Sequence, residues 1–378
     1  MIYLDYSATT PTNEEVINSF VEATRNYYGN PNSLHKLGIE SKKLIDAATS
    51  QLASILNVKE KEIIYTSGAS ESNNTAIKGV CFKNKNRGKH IISTRLEHSS
   101  VTAPLSYLQE HGFEVDFVNI DENGKVDLEH LKSLIRDDTI LVTIASVNSE
   151  VGVVQPIEEI GAILKEYPKL YFHSDMTQSI GRIDIDISNV DLISFSAQKI
   201  YGIKGVGCLI KREKIVIDPL IHGGKSTTVY RSGTPATGLI VSLSKAVRLV
   251  YDNLKNNYKY VTELNEYLKE KLNNNRNIHI NSNKYSSPYI LNISIKNIKP
   301  ETIQHALESE DIYISTQTAC SSKSNISRAV LEVTKNEEYA KHSIRISLSH
   351  LTTKEELDTF IKILNNKIEE LEKLYESN

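Results

Sequence analysis

Cysteine is scarce in this sequence: the chain of 378 residues carries three, Cys81, Cys208 and Cys320. An odd, small number without regular spacing argues against a disulfide framework and predicts a reducing compartment. No two of them form a CxxC pair, so the signature of a zinc site is missing and no metal is expected. No apolar run is long enough to span a bilayer. The opening residues, MIYLDYSATTP, have neither a basic n-region nor an apolar h-region. No secretory signal is therefore expected, and the reading is cytoplasmic. Excess charge is lacking too. A net charge of −3 implies no general attraction to nucleic acid or to an anionic membrane. Neither an internal repeat nor a disordered tract is visible.

What is present is an ordinary globular composition, 39% hydrophobic and 24% charged, on a chain too long for one compact core. Apolar runs alternate with helical patterns from Glu62 to Lys211. The strand candidates are EIIYTS, HIISTR, EVDFVNI, TILVTIASV, LYFHSD, DLISFS and VGCLIK. Their near-continuous hydrophobicity predicts strands covered on both faces. Helical stretches at Glu71–Cys81 and Ser99–His111 lie between them, so the expectation is α/β with a mostly parallel sheet. After about Tyr258 the character changes. A connecting helix leads to shorter strands, YILNISI and SIRISLS, mixed with helices. From Lys354 to Tyr375, Leu357, Phe360, Ile361, Leu364, Ile368, Leu371 and Leu374 share one face. That amphipathic helix is expected to close a small α+β domain. The expected division is residues 1–14 joining the small domain, 15–257 as the large domain and 258–378 as the small one.

The chemistry-bearing residues sit at strand ends. TSGASESNN (66–74) opens a helix after a strand. Its small residues, Ala69 among them, leave backbone N–H groups exposed at a helix N-terminus, and Ser70 adds a hydroxyl, an arrangement that binds phosphate. His98 in RLEHSSV could stack on a flat ring and move protons near neutral pH. Asn148 follows another apolar strand. Asp175 ends LYFHSD, and a buried carboxylate there needs a partner such as a pyridinium nitrogen. Lys199, in ISFSAQKIYGIKGVG, is an amine at the end of a buried strand, able to form a Schiff base with a carbonyl cofactor. Each has an ordinary alternative as a cap, a turn former or a solvated charge. Together they occupy consecutive strand ends of one sheet, which converge on one crevice.

The chain resembles the cysteine desulfurases of the class-V aminotransferase group, with fold-type-I pyridoxal phosphate architecture. The likeness runs nearly end to end through YLDYSATTP, GNPNSLHKLG, TSGASESNN, VNSEVGVVQPI, HSDMTQSIG, QKIYGIKGVG, RSGTP, TACSS and SIRISLS. It implies a large domain with a mostly parallel seven-stranded sheet and a smaller C-terminal domain. It implies pyridoxal 5'-phosphate held by Lys199, with Asp175 on the ring nitrogen, Gln178 on the phenolic oxygen and His98 stacked on the ring. Ala69, Ser70, Ser196 and Gln198 would bind the phosphate, and Thr234 would reach it across the interface of a homodimer. Asn148 and Arg345 would bind the substrate carboxylate, a task suited to a guanidinium fork.

Cys320, with polar neighbours on both sides, would attack the sulfur of L-cysteine and carry it as a persulfide to an acceptor protein. An iron–sulfur scaffold or a tRNA-thiolating enzyme is the expected acceptor. Cys81 and Cys208, in apolar segments, fit buried hydrophobes. Four features depart from the family pattern: Gln198 stands where His is usual, Gln317 and Thr318 replace small residues, HGGKS replaces a glycine-rich run, and DMTQSIG replaces a version with alanine. An amide at position 198 can donate to phosphate but cannot titrate. The rival readings are another class-V enzyme, such as a selenocysteine lyase or an aminotransferase, and a weakly active cofactor-binding scaffold.

Overall fold

The apolar runs between residues 62 and 211 become strands where the hydrophobic pattern puts them. A computed structural model describes residues 1–316 and 326–376, with side chains in the last helix described through residue 373. After β1 (Ile2–Tyr3) and helices α1 (Glu14–Asn26) and α2 (Lys36–Leu56) come β2 (Ile63–Thr66), α3 (Ala69–Asn84), β3 (His90–Ser93) and α4 (Ser99–Glu110). Then follow β4 (Glu114–Phe117), α5 (Leu128–Leu134), β5 (Thr139–Thr143), α6 (Ile157–Leu164), β6 (Tyr171–Asp175), β7 (Leu192–Ser196) and β8 (Gly207–Lys211).

Among the described residues these strands form one seven-stranded sheet in the order β2-β8-β7-β6-β5-β3-β4. Strand β8 is antiparallel to both neighbours, and the others share one direction. Every residue of β5, β7 and β8 is buried, which is why these runs lack a polar alternation. Successive residues point to opposite faces. Ile92, Val142, Ile193 and Ile210 enter one core, while Ile91, Leu141, Leu192 and Leu209 enter the other. The structure thus has the expected α/β fold with a mostly parallel sheet.

The helix over 69–84 is longer at both ends than the pattern over 71–81 predicts, because Gly68 can serve as its N-cap. The long α7 (Thr237–Asp252) packs against α1 and α2 and leads into α8 (Leu254–Leu272). A second, antiparallel sheet places β10 (Ile290–Ile295) between β9 (Ile278–Ile280) and β12 (Ser343–Ser347). Between them in the chain lie α9 (Pro300–Glu308), β11 (Ile312–Tyr313), α10 (Arg328–Thr334) and α11 (Glu337–Lys341). The closing α12 (Lys354–Glu376) buries Leu357, Phe360, Leu364 and Ile368 in the core of this sheet. The amphipathic stripe is therefore spent on the chain's own core. Among the described residues no helix is long and apolar enough to cross a membrane.

The N-terminal segment straps the two sheets together. Strand β1 pairs with β11, and Asp5 bridges to Ser347 next to Arg345. Farther on, the Thr10 and Asn13 N–H groups donate to the carbonyls of Gln198 and Tyr201. Residues Ser7 and Ala8 are thereby suspended over the ends of the central strands.

Candidate active site

The loops leaving the C-terminal ends of β2, β3, β5, β6 and β7 enclose a cavity of about 470 Å³. Its wall contains Ala69, Ser70, His98, Asp175, Gln178, Ser196, Gln198, Lys199 and Arg345. Most of the residues predicted from strand ends are therefore brought together.

One end is an anion cradle. Helix α3 starts at Ala69 behind Gly68, whose φ is +155. Its first-turn N–H groups have no acceptor inside the helix, and the helix dipole favours negative charge there. A Cβ at Gly207 would lie 2.6 Å from Gly68 Cα, so a glycine is required for β8 to approach this loop. Glu71 also lines the cavity, but its carboxylate is already occupied. It accepts from the Ser67 N–H at 2.7 Å and pairs with Arg231 at 3.0 Å.

The middle carries a carboxylate and an imidazole. Asp175 Oδ2 accepts from Asn73 Nδ2 at 2.8 Å, and Oδ1 accepts from the Thr177 backbone N–H at 3.0 Å. His98 caps α4, its Nδ1 accepting from the Ser100 N–H at 3.1 Å. The neutral ring therefore carries its proton on Nε2. Burial holds this imidazole below its ordinary pKa, with Asp175 pulling the other way. Ser100 Oγ lies 2.8 Å from His98 Nδ1 and accepts from Asn73 Nδ2 at 2.9 Å.

At the other end stands the amine. Lys199 follows β7 in a short 3-10 turn. Its Nζ donates to the carbonyls of Ser7 at 2.7 Å and Ala8 at 2.5 Å. Burial first, then the charges of Arg182 and Arg345, lower its pKa to about 8, against the pull of Asp5 and Asp175. Arg345, 3% exposed on β12, gives Nη2 to Asp5 Oδ1 at 2.9 Å and Nη1 to the Ser149 carbonyl at 2.9 Å. Its buried Nε–H has no partner among the described residues. The guanidinium itself forms part of the cavity wall, where a fork of donors suits a carboxylate.

Two expected positions fall elsewhere. Asn148 is absent from the lining, whose wall there is Val147 and Ser149. Its amide is spent on backbone, Nδ2 donating to the Leu96 carbonyl and Oδ1 accepting from the Glu150 and Val151 N–H groups. Thr234 lines a second cavity of about 280 Å³, beside Ser226 and Arg231. Cys320, Gln317 and Thr318 lie outside the described residues. Cys81 and Cys208 are buried, and burial pushes both thiols up.

The sequence reading passed over Asn73, Ser100 and Arg182. Asn73 carried little signal, since α3 buries two amides, Asn73 and Asn84.

The chain as a whole is similar to known proteins. The family described as Aminotransferase class-V matches residues 2–360. The chain belongs to the class-V aminotransferase family. It is 38% identical over 375 residues to "Cysteine desulfurase IscS" of Dictyoglomus turgidum, covering 98% of this chain and 95% of that protein. It is 38% identical over 380 residues to "Cysteine desulfurase, mitochondrial" of Saccharomyces cerevisiae, covering 99% of this chain and 76% of that one. A solved "NIFS-LIKE PROTEIN" superposes with a TM-score of 0.91 at 36% identity, over 99% of both chains. The cofactor of this class-V enzyme is pyridoxal 5'-phosphate. The cavity fits it: unpaired first-turn N–H groups for a phosphate, a held carboxylate for a pyridinium and a depressed-pKa amine for an aldehyde.

Proposed function

We propose that this chain is a pyridoxal phosphate-dependent cysteine desulfurase, converting L-cysteine to L-alanine and a protein-bound persulfide. The observation that carries the reading is the meeting of Lys199 and Arg345 in the wall of one cavity that also contains the α3 N-terminus. The relatives named for this activity support it.

The cofactor, when bound, supplies an electron sink for charge developing at Cα. Ala69, Ser70, Ser196 and Gln198 would hold its phosphate, Asp175 its ring nitrogen, Gln178 its phenolic oxygen, and His98 would lie against its ring. Lys199 would anchor it and then, as a free amine, take the Cα proton on Nζ. A pKa near 8 suits that exchange, since the neutral amine is accessible near physiological pH. Arg345 would bind the substrate carboxylate through N–H groups that Asp5 and Ser149 leave unused. Asn148, with its amide engaged, would contribute by fixing the turn that presents Ser149.

The Cys320 thiolate would then attack the substrate sulfur. A sulfur–sulfur bond forms, the substrate carbon–sulfur bond breaks, and the electron pair left on carbon takes a proton to give alanine. The persulfide would pass to an acceptor protein, an iron–sulfur scaffold or a tRNA-thiolating enzyme, in the cytoplasm.

A homodimer belongs to this reading. Tyr28 and Leu34 are 74% and 93% exposed, and Val229, near Thr234, is 59% exposed. Apolar groups so placed favour a partner surface. So does the position of Thr234 in a cavity apart from its own chain's Lys199. The reading keeps a division at residues 14 and 257, with most of the first core formed by residues before 257 and most of the second by residues after it.

Incubation of the purified protein with L-cysteine and a thiol reductant tests the activity. Sulfide and alanine should appear in equal amounts. Amino transfer to a 2-oxo acid without sulfide would overturn it.

A further inference from the structure

Arg182 is a buried cation for which no described carboxylate serves as partner. It is 4% exposed and forms no ion pair with any described residue. An isolated buried guanidinium is expensive, so its donors must be satisfied. They go to three acceptors. Nη1 donates to Gln178 Oε1 at 2.5 Å, and Nη2 donates to the carbonyls of Tyr6 at 3.1 Å and Lys199 at 3.0 Å. The Tyr289 ring faces the guanidinium carbon at 5.6 Å.

We propose that Arg182 is a positioning residue for Lys199, binding its carbonyl, orienting Gln178 and placing a permanent positive charge behind the reactive amine. The Gln178 part follows from the donor inventory. A guanidinium can only donate, so the Gln178 oxygen must face it. The amide Nε2 is then left to donate toward the cavity, where it now meets the Ser7 carbonyl at 3.0 Å.

The charge part follows from placement in a dry interior, where like charges disfavour each other's protonated forms. The groups facing Lys199 are Arg182 from the turn after β6, Arg345 from β12, Asp5 from the N-terminal segment, Asp175 from the end of β6 and His98 from the cap of α4. Two cations and two carboxylates thus oppose one another around the amine, alongside an imidazole held below its ordinary pKa. Removing Arg182 leaves the carboxylates in excess. Among the described residues no acid stands beside Arg182 to cancel its effect, and its electrostatic neighbours are Tyr201, Tyr289 and Arg345.

The inference rests on Lys199 being the cofactor lysine, but its test does not need the activity. The full chain, freed of cofactor, is pulse-labelled with acetic anhydride across a pH series, and acetylation is read by mass spectrometry on the peptide containing Lys199. Arg182→Gln keeps donors and removes the charge. Its Lys199 midpoint should rise by about one pH unit, a tenfold loss of neutral amine. Arg182→Lys should rescue, with a midpoint within about half a unit of wild type. A merely structural role would lower thermal stability in Arg182→Gln and leave the midpoint in place, and that result overturns the proposal. If Arg182→Gln does not fold, the wild-type midpoint decides. A value at the ordinary lysine range of about 10.4 overturns the proposal, and with a lower value Arg182→Met, which also removes the charge, is read as Arg182→Gln would be: a raised midpoint supports the proposal and an unmoved one overturns it. A loaded enzyme that released no sulfide would sink the desulfurase reading and leave this titration unaffected.

Discussion

Asn73 Nδ2 donates to Asp175 Oδ2 at 2.8 Å and to Ser100 Oγ at 2.9 Å. One amide in α3 therefore joins the carboxylate at the end of β6 to the hydroxyl beside His98. Asn73→Ala would remove a donor from a buried carboxylate and a support from the His98 cap. Cofactor Kd should rise about tenfold, or 1.4 kcal/mol. Asn73→Asp should do worse, since two carboxylates would then meet. Absorbance titration of the cofactor-free chain with pyridoxal phosphate measures both. Wild-type affinity in Asn73→Ala would mean that Thr177 alone holds Asp175.

Arg345 is expected to govern substrate affinity. Arg345→Ala should raise KM for L-cysteine by more than about tenfold, the loss of a charged hydrogen bond. The cofactor absorption band should stay in place, because no expected cofactor contact is removed. Steady-state kinetics beside a spectrum of the same sample checks the split. An unchanged KM would put the carboxylate elsewhere.

The depressed Lys199 pKa carries a stability cost with a definite sign. The folded value is about 8 against a reference of 10.5. Between those values the unfolded chain binds more protons, so stability rises with pH through that window. Lys199→Met removes the penalty. The cofactor-free variant should be more stable than wild type at pH 7 by about 3 kcal/mol, with the gain fading as pH approaches 10.5. Urea melts at pH 7 and pH 10 measure it, and a gain that grew with pH would refute the assignment.

Gln198 lines the cavity, and its backbone carbonyl accepts from the Thr10 N–H at 2.9 Å. Gln198→His should keep cofactor affinity within about tenfold, because either side chain can donate one hydrogen bond to a phosphate. A new ionisation near neutral pH should enter the rate profile. Collapse of affinity would show a cavity rebuilt around the amide.

Much of the frame was legible because it rests on local chemistry. The run DLISFS is apolar throughout since β7 is covered on both faces, and Lys199 stands out at its end for that reason. The α3 N-terminus is written in its glycine and small residues. What was hidden depends on partners distant in sequence. Arg182 looks like any arginine after a glycine until the Tyr6 and Lys199 carbonyls close over it. Asn148 follows an apolar run much as Asp175 ends one, yet it lies beyond the end of β5 and its amide turns to the next N–H groups, which need an acceptor. Thr234 lies in a cavity apart from Lys199, which no local pattern around RSGTP foretells.

The claim that separates a desulfurase from its class-V relatives is that sulfur leaves L-cysteine and stays on Cys320. Peptide mass mapping of the wild-type protein after brief exposure to L-cysteine, without reductant, tests it. Cys81 and Cys208 are buried with thiols pushed well above their usual range, and neither should react. A mass gain of one sulfur atom should appear on the peptide containing Cys320 and on no other cysteine peptide. The gain on Cys81 or Cys208 alone, or alanine formed with no sulfur retained on the chain, would contradict the account.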